Sequence, residues 1–246
     1  MIWRLLPLAT ERGAMNMAID EAVAEGLRDG VSPPTVRFYS WSPGAVSIGC
    51  FQSAREEVDV DTCARLGVDV IRRRTGGGAV YHDPDGEITY SVIAPEATFG
   101  NDIHTSYRLI CGYIIDALGH LGIPSEFRPI NDITVGGKKI SGSAQTRRGG
   151  VFLQHGTLLL SFDSERMSLL RPSPAKLSAR NSKSVEDLLT SVRSCCSASR
   201  DEVLDALRKG LRPLGEMRDA GLTIEERARA NEIALSYDDD AWTFFR

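Results

Sequence analysis

Three stretches of the chain combine residue types that can do chemistry. The first, VIRRRTGGGAVYHDPDGEITYS (residues 70–91), runs three arginines straight into three glycines. Glycine tolerates positive φ and lets a ligand approach the main chain closely. Successive backbone N–H groups in such a loop can converge on an anion, and arginines at its entrance add positive charge. Strand alternation sends Arg72 and Arg74 to one face and Arg73 to the other, so not all three can reach one ligand. The competing reading is a glycine hairpin with solvated arginines. Three adjacent glycines are wasteful of conformational entropy, which favours the anion site. GGGAVY lacks the third glycine of G-x-G-x-x-G, and the chain has no G-x-x-x-x-G-K-[ST]. Neither a dinucleotide-binding turn nor a P-loop is indicated.

The second stretch is NDITVGGKKISGSAQTRRGG (residues 131–150). Lys139 lies in a strand-like run that leads to Gly142, Ser143 and Ala144. A lysine facing small neighbours can extend its ammonium into a cleft, whereas Lys138 points the other way and is solvated. Taken alone, a strand lysine is more often a surface residue. Asn131 and Asp132 can ligand Mg²⁺ or cap a turn, and turns are the commoner use. The third stretch is LQHGTLLL (residues 153–160). A histidine entering an apolar strand, here His155, is more often a hydrogen-bonded core residue than a ligand. Only its company argues otherwise.

Regular elements must position these stretches. Helical spacing of apolar residues predicts helices over 14–28, 56–66, 104–121, 200–211 and 223–235. Alternating or continuous apolar runs predict strands over 35–41, 45–51, 67–74, 88–94, 125–130, 132–137, 138–147 and 151–162. Gly136-Gly137 and Gly149-Gly150 read as hairpin turns. Residues 181–199 are rich in Ser and read as a loop. The pattern predicts one α+β domain over residues 1–246. It has a mixed, largely antiparallel sheet flanked by helices and a small helical C-terminal portion (about 200–246).

The totals narrow the function classes. A net charge of −4 gives no broad basic excess, which argues against a non-specific nucleic-acid binder. Five cysteines without a CxxC spacing indicate neither a disulfide framework nor a zinc site. The N-terminal run is broken by Arg4 and Pro7 and makes a poor signal peptide. No run approaches the ~18–20 apolar residues that would span a bilayer. The chain reads as cytoplasmic.

Together the three stretches resemble the lipoate–protein ligase family, within the fold shared with biotin ligases and octanoyltransferases. The first family motif corresponds to Arg72, Arg73, Thr75, Gly76, Gly77, Gly78, Val80, Tyr81, His82 and Asp83. The second, Lys-x-x-Gly-x-Ala, corresponds to Lys139, Gly142 and Ala144, with Asn131 and Asp132 before it. The third, His-x-x-Leu-Leu, corresponds to His155, Leu158 and Leu159. Weaker similarity extends from Met17 and Asp20 to Trp242.

The resemblance implies ATP-dependent ligation. Lipoate is activated to lipoyl-AMP and the lipoyl group passes to a lysine of an acceptor protein. It implies that Lys139 is catalytic and that the glycine loop, Arg72, Arg73, Thr75, Val80, Tyr81, His82, Asn131, Gly142, Ser143, Ala144, His155 and Thr157 bind ATP, lipoate or lipoyl-AMP. Asp132 is the expected Mg²⁺ ligand. The implied acceptor is a lipoyl carrier, such as a 2-oxoacid dehydrogenase subunit or a glycine-cleavage H protein. A short form without the large C-terminal accessory domain suggests a separate small partner for adenylation.

An octanoyltransferase of the same fold is the second reading, and a non-catalytic lipoyl-binding relative the third. Such transferases carry a nucleophilic cysteine either just before the lysine motif or after the histidine strand. Here those places read Pro129-Ile130-Asn131-Asp132 and Arg171-Pro172-Ser173. Ligation is therefore the expected activity.

Overall fold

Strand β6 (Glu87–Pro95) divides the molecule by its period-two alternation. Ile88, Tyr90, Val92 and Ala94 face one apolar core, while Ile93 belongs to a second core on the opposite side. The computed structural model describes residues 1–172 and 184–246. Around β6 it places β1 (Ile2–Glu11), β2 (Thr35–Trp41), β7 (Glu126–Arg128), β8 (Asp132–Val135), β9 (Lys138–Arg148), β10 (Val151–Leu159) and β11 (Glu216–Asp219). Among the described residues these form one sheet in the order β11-β1-β2-β6-β10-β9-β8-β7. Only β1 pairs in parallel, with β2 and β11; the other ladders are antiparallel. This is the expected α+β architecture.

Helices cover both faces. On the first, α2 (Ile103–His120) and α3 (Arg200–Gly210) supply Ile110, Ile114, Val203 and Leu207 to a core with Trp3, Phe38 and Phe152. On the second, α1 (Gly13–Arg28) and α4 (Ile224–Tyr237) supply Met17, Ile19, Val23 and Ile233 to a core with Tyr39, Trp41 and Leu153. Each such side chain, fully buried, stabilises the fold by about 1.5–3 kcal/mol. Capping boxes at Ser199/Glu202 and Thr223/Glu226 start α3 and α4. Asp102 caps α2 by accepting from His104 N–H. No helix among the described residues is long and apolar enough to cross a membrane.

A smaller sheet, β4-β3-β5, stands beside the second core. It consists of β3 (Ala45–Ile48), β4 (Asp69–Arg72) and β5 (Val80–His82). The glycine loop joins β4 to β5.

Local pattern missed several elements. β5 and β11 are short, β1 is interrupted by Arg4 and Pro7, and all three pair with distant partners. The helix expected over 56–66 is split into Ala54–Glu57 and Val60–Arg65, because Asp59 caps the second piece. Of the expected loop 181–199, residues 181–183 lie outside the described residues. The remainder contains two short helical turns, Glu186–Leu188 and Val192–Cys195.

Candidate active site

Register across the large sheet builds the floor of the site. One rung runs Tyr39–Thr89–Thr157–Gly142–Asp132 and the next runs Arg37–Ser91–His155–Ala144. Small side chains on these rungs leave space above the sheet on the α1 side. On the far face, a Cβ at position 156 would stand 2.5 Å from the Tyr90 hydroxyl. Gly156 therefore lets β10 pass over Tyr90 while its neighbours His155 and Thr157 face the site.

The lysine motif has a geometric explanation. Lys139 Nζ lies 2.7 Å from Asp132 Oδ1, and Arg128 Nη2 lies 3.0 Å from Asp132 Oδ2. To reach Asp132 the lysine crosses its own strand at position 142. A Cβ there would meet Nζ at 2.3 Å, so Gly142 keeps the path open. Burial by itself would raise the Asp132 carboxyl, but Lys139 and then Arg128 outweigh it and hold it below the usual carboxylate range. Asn131 fixes the adjacent main chain: Ser143 N–H and Oγ donate to its carbonyl, and its side-chain amide donates to the Ser143 carbonyl.

The two Asp132 oxygens face two cations, Lys139 and Arg128, so in this structure the carboxylate expected to hold Mg²⁺ holds Lys139.

Alternation separates the arginines as expected. Arg73 turns to the site, where burial lowers its guanidinium to about 10, still charged at neutral pH. Its Nη2 donates to the Gly76 and Gly78 carbonyls, its Nε to Thr75 Oγ1, and its Nη1 to the Ser47 carbonyl and hydroxyl. Gly77 has φ +95°, and a Cβ on it would sit 2.9 Å from Arg73 Nη2. The loop is thus shaped around Arg73, with open space beside Gly76 and Gly78.

Arg72 faces the opposite way and is fully buried. It donates to the carbonyls of Gly49, Cys50, Gln52, Trp242 and Thr243. The expectation that Arg72 binds substrate is corrected: it clamps the C-terminal residues. Arg74 joins it there, lying 4.2 Å over the Trp242 ring.

Two histidines end hydroxyl-bearing relays. His155 Nε2 is 2.8 Å from Thr75 Oγ1, and its Nδ1 is 4.0 Å from Asp20 Oδ2. Burial, then the fields of Arg73 and His82, push His155 down to about 3, so its ring is neutral. His82 Nε2 is 2.8 Å from Ser47 Oγ, and its Nδ1 is 2.7 Å from Glu87 Oε1. The Trp41 ring stacks on His82 at 3.8 Å.

Above the floor lies a cavity of about 220 Å³. Of the expected site residues, Arg73, Gly77, Gly78, Val80, Tyr81, His82, Asn131, Lys139, Gly142, Ser143, Ala144, His155 and Thr157 line it. Arg72, Thr75, Gly76 and Asp132 do not line it, and Thr75 lines a neighbouring cavity with Asp20 and the other side of His155. The sequence reading missed Ser47 and Thr89, whose available signal was a polar residue inside an apolar strand. It also missed the aliphatic wall of Leu170, Val185, Leu188 and Leu189, which comes from a region without clear periodicity. None of the five cysteines lines the cavity. Burial raises the Cys63 and Cys111 thiols to about 11 each.

Residues 12–212 match the lipoyl protein ligase A/B catalytic domain. The chain belongs to that family. It is 37% identical to octanoyltransferase LipM of Kyrpidia tusciae over 98% of both chains, and 34% identical to octanoyltransferase LipM of Geobacillus kaustophilus over 100% and 99%. Among solved structures, the bi-partite lipoate protein ligase of Thermoplasma acidophilum has 32% identity and a TM-score of 0.88, with 99% and 96% of the two chains covered. A lipoate-protein ligase A bound with ATP has 30% identity and a TM-score of 0.86, with 99% of each chain covered. The chain is thus an enzyme of the ligase and transferase family. The names of its full-length curated relatives overturn the expectation of ATP-dependent lipoate ligation and point to octanoyl transfer. The accessory protein expected for adenylation falls with that reading.

Proposed function

We propose that this chain moves an octanoyl group from a thioester on an acyl carrier to the ε-amino group of a lysine on a lipoyl-domain protein. The observation that carries this reading is a fixed ammonium, Lys139, lining the same cavity as an aliphatic wall in a chain that aligns end to end with octanoyltransferases.

The chemistry needs little else. A thioester is already activated, so no ATP is consumed. Attack on its carbonyl moves charge onto the oxygen, and preorganised donors stabilise that charge more than they stabilise the bound ester. Lys139, held by Asp132, is such a donor, and Arg73 supplies a second fixed charge. Leu159, Met167, Leu170, Leu188 and Leu189 offer an apolar surface for the acyl chain. The Thermoplasma structure includes an E2 lipoyl domain, which supports a lipoyl domain of a 2-oxoacid dehydrogenase or a related carrier as acceptor.

The test is the mass of a lipoyl domain after incubation with the chain and an octanoyl-loaded acyl carrier, with no nucleotide. One octanoyl group on the acceptor lysine is expected. Acylation that appears only when a free acid and ATP are supplied would refute the proposal.

A further inference from the structure

We propose that Gly49 and Gln52 are positioning residues for the acyl donor: the turn they form is the seat against which the glycine loop is set. This rests on the acyl-transfer reading above. Neither residue lines the cavity, so each acts through the loop.

The turn continues β3, the central strand of the small sheet. Gln52 N–H donates to the Gly49 carbonyl at 3.1 Å, and Gly49 N–H donates to Gln52 Oε1 at 2.9 Å. These bonds close the turn on itself. Cys50 N–H then donates to the Thr75 carbonyl at 2.9 Å, which ties the turn to the loop. The Gly49 main chain lies directly on the loop's main chain. A Cβ at position 49 would stand 2.2 Å from the Gly77 carbonyl oxygen and 3.1 Å from the carbonyl carbons of Gly76 and Gly77. Gly49 does not adopt positive φ, so the close approach alone excludes a side chain here.

On its other side the loop meets Arg73, whose Nη2 donates to the Gly76 and Gly78 carbonyls at 2.8 Å. Gly77 is thus held between the Gly49 main chain and the Arg73 guanidinium. Arg73, Gly77 and Gly78 line the cavity, so the seat decides where this wall stands. Thr75 passes the same constraint to His155 through their 2.8 Å contact.

Packing decides which side yields to added bulk. The turn is anchored to a central strand and closed by its own hydrogen bonds, whereas open space lies beside Gly76 and Gly78. A methyl group on Gly49 therefore drives the Gly77 carbonyl away from the turn and disturbs the bonds to Arg73. A displacement of about 1 Å in groups that position a substrate can cost on the order of 10² in rate. Arg72 bonds to carbonyls of this turn but to none in the loop, so its removal adds no bulk at the seat.

The experiment follows transfer from S-octanoyl-N-acetylcysteamine to a lipoyl domain by mass, with the full chain and each substrate varied in turn. Gly49→Ala should lower kcat/KM for the thioester by about tenfold to a hundredfold and leave KM for the lipoyl domain unchanged. Gln52→Ala adds no bulk and removes the acceptor for Gly49 N–H. It should lower the same constant, and Gln52→Glu, which keeps an oxygen there, should restore it. The Gln52 pair decides the matter if Gly49→Ala does not fold. A folded Gly49→Ala with wild-type kinetics means that the turn yields instead of the loop, and overturns the proposal. Equal losses for Gln52→Ala and Gln52→Glu, or a parallel rise in KM for the lipoyl domain, overturn it as well and leave octanoyl transfer standing. A wild-type chain that acylates no lipoyl domain from any octanoyl thioester overturns both.

Discussion

Lys139 Nζ meets Asp132 Oδ1 at 2.7 Å by crossing Gly142, where a Cβ would stand 2.3 Å from the ammonium. The spacing of Lys-x-x-Gly thus records a lysine laid across its own strand. Arg128 closes the group from the other carboxylate oxygen.

Lys139→Ala is expected to lower kcat/KM for octanoyl transfer by about 10²–10³, the usual cost of one preorganised charge contact, while the protein stays folded. Thioester-dependent acylation of a lipoyl domain measures this. Near-normal transfer would remove Lys139 from the mechanism.

Gly142→Ala should behave like a partial Lys139 deletion. The added methyl displaces the ammonium from Asp132, so activity should fall by about tenfold or more with little change in KM for the acceptor. Asp132→Asn should act in the same direction by weakening the same contact. If Gly142→Ala retains full activity, the lysine has another path to its working position.

Arg72→Gln should chiefly cost stability. It leaves buried carbonyls of residues 49–52 and 242–243 without their donor, at about 1–3 kcal/mol for each one stranded. Urea denaturation should show the loss, and rates measured on the remaining folded protein should be close to wild type. A stable variant with abolished transfer would restore Arg72 to the active site.

His155 makes stability depend on acidity. Its folded value is depressed from 6.5 to about 3. Between those values the unfolded chain holds a proton that the folded chain refuses. Stability is therefore complete above pH 6.5 and falls as pH drops toward 3, by up to about 1.4 kcal/mol per pH unit. Denaturation of the wild type and His155→Gln at pH 7 and pH 5 should give a steeper loss for the wild type. Parallel profiles would mean that His155 titrates normally in the folded protein.

Replacing all five cysteines, with alanine at the buried Cys63 and Cys111, should leave transfer largely intact. No thiol lines the cavity, and the two buried ones are held protonated. Loss of transfer on a single such replacement in a folded protein would place the nucleophile on that sulfur.

The sequence by itself determined the elements with strong local signals. The amphipathic helices α1, α2, α3 and α4, the hairpin from β9 to β10, and the opposed facing of Arg73 against Arg72 and Arg74 follow from periodicity and turn chemistry. The three motifs also marked most of the cavity lining. Tertiary structure decided how the polar residues are used. Whether Arg72 grips a ligand or the carbonyls at Trp242 and Thr243 depends on a contact 170 residues away. Whether Asp132 holds a metal or Lys139 depends on the register of β8 against β9. Ser47, Glu87 and Thr89 carried no motif, because each looks locally like a polar residue in a strand. Pairing of β3 with β5 puts Ser47 opposite Val80 and within reach of His82, and β6 brings Glu87 and Thr89 to the same ring. Those relationships are set by long-range packing, which a local pattern of residues does not encode.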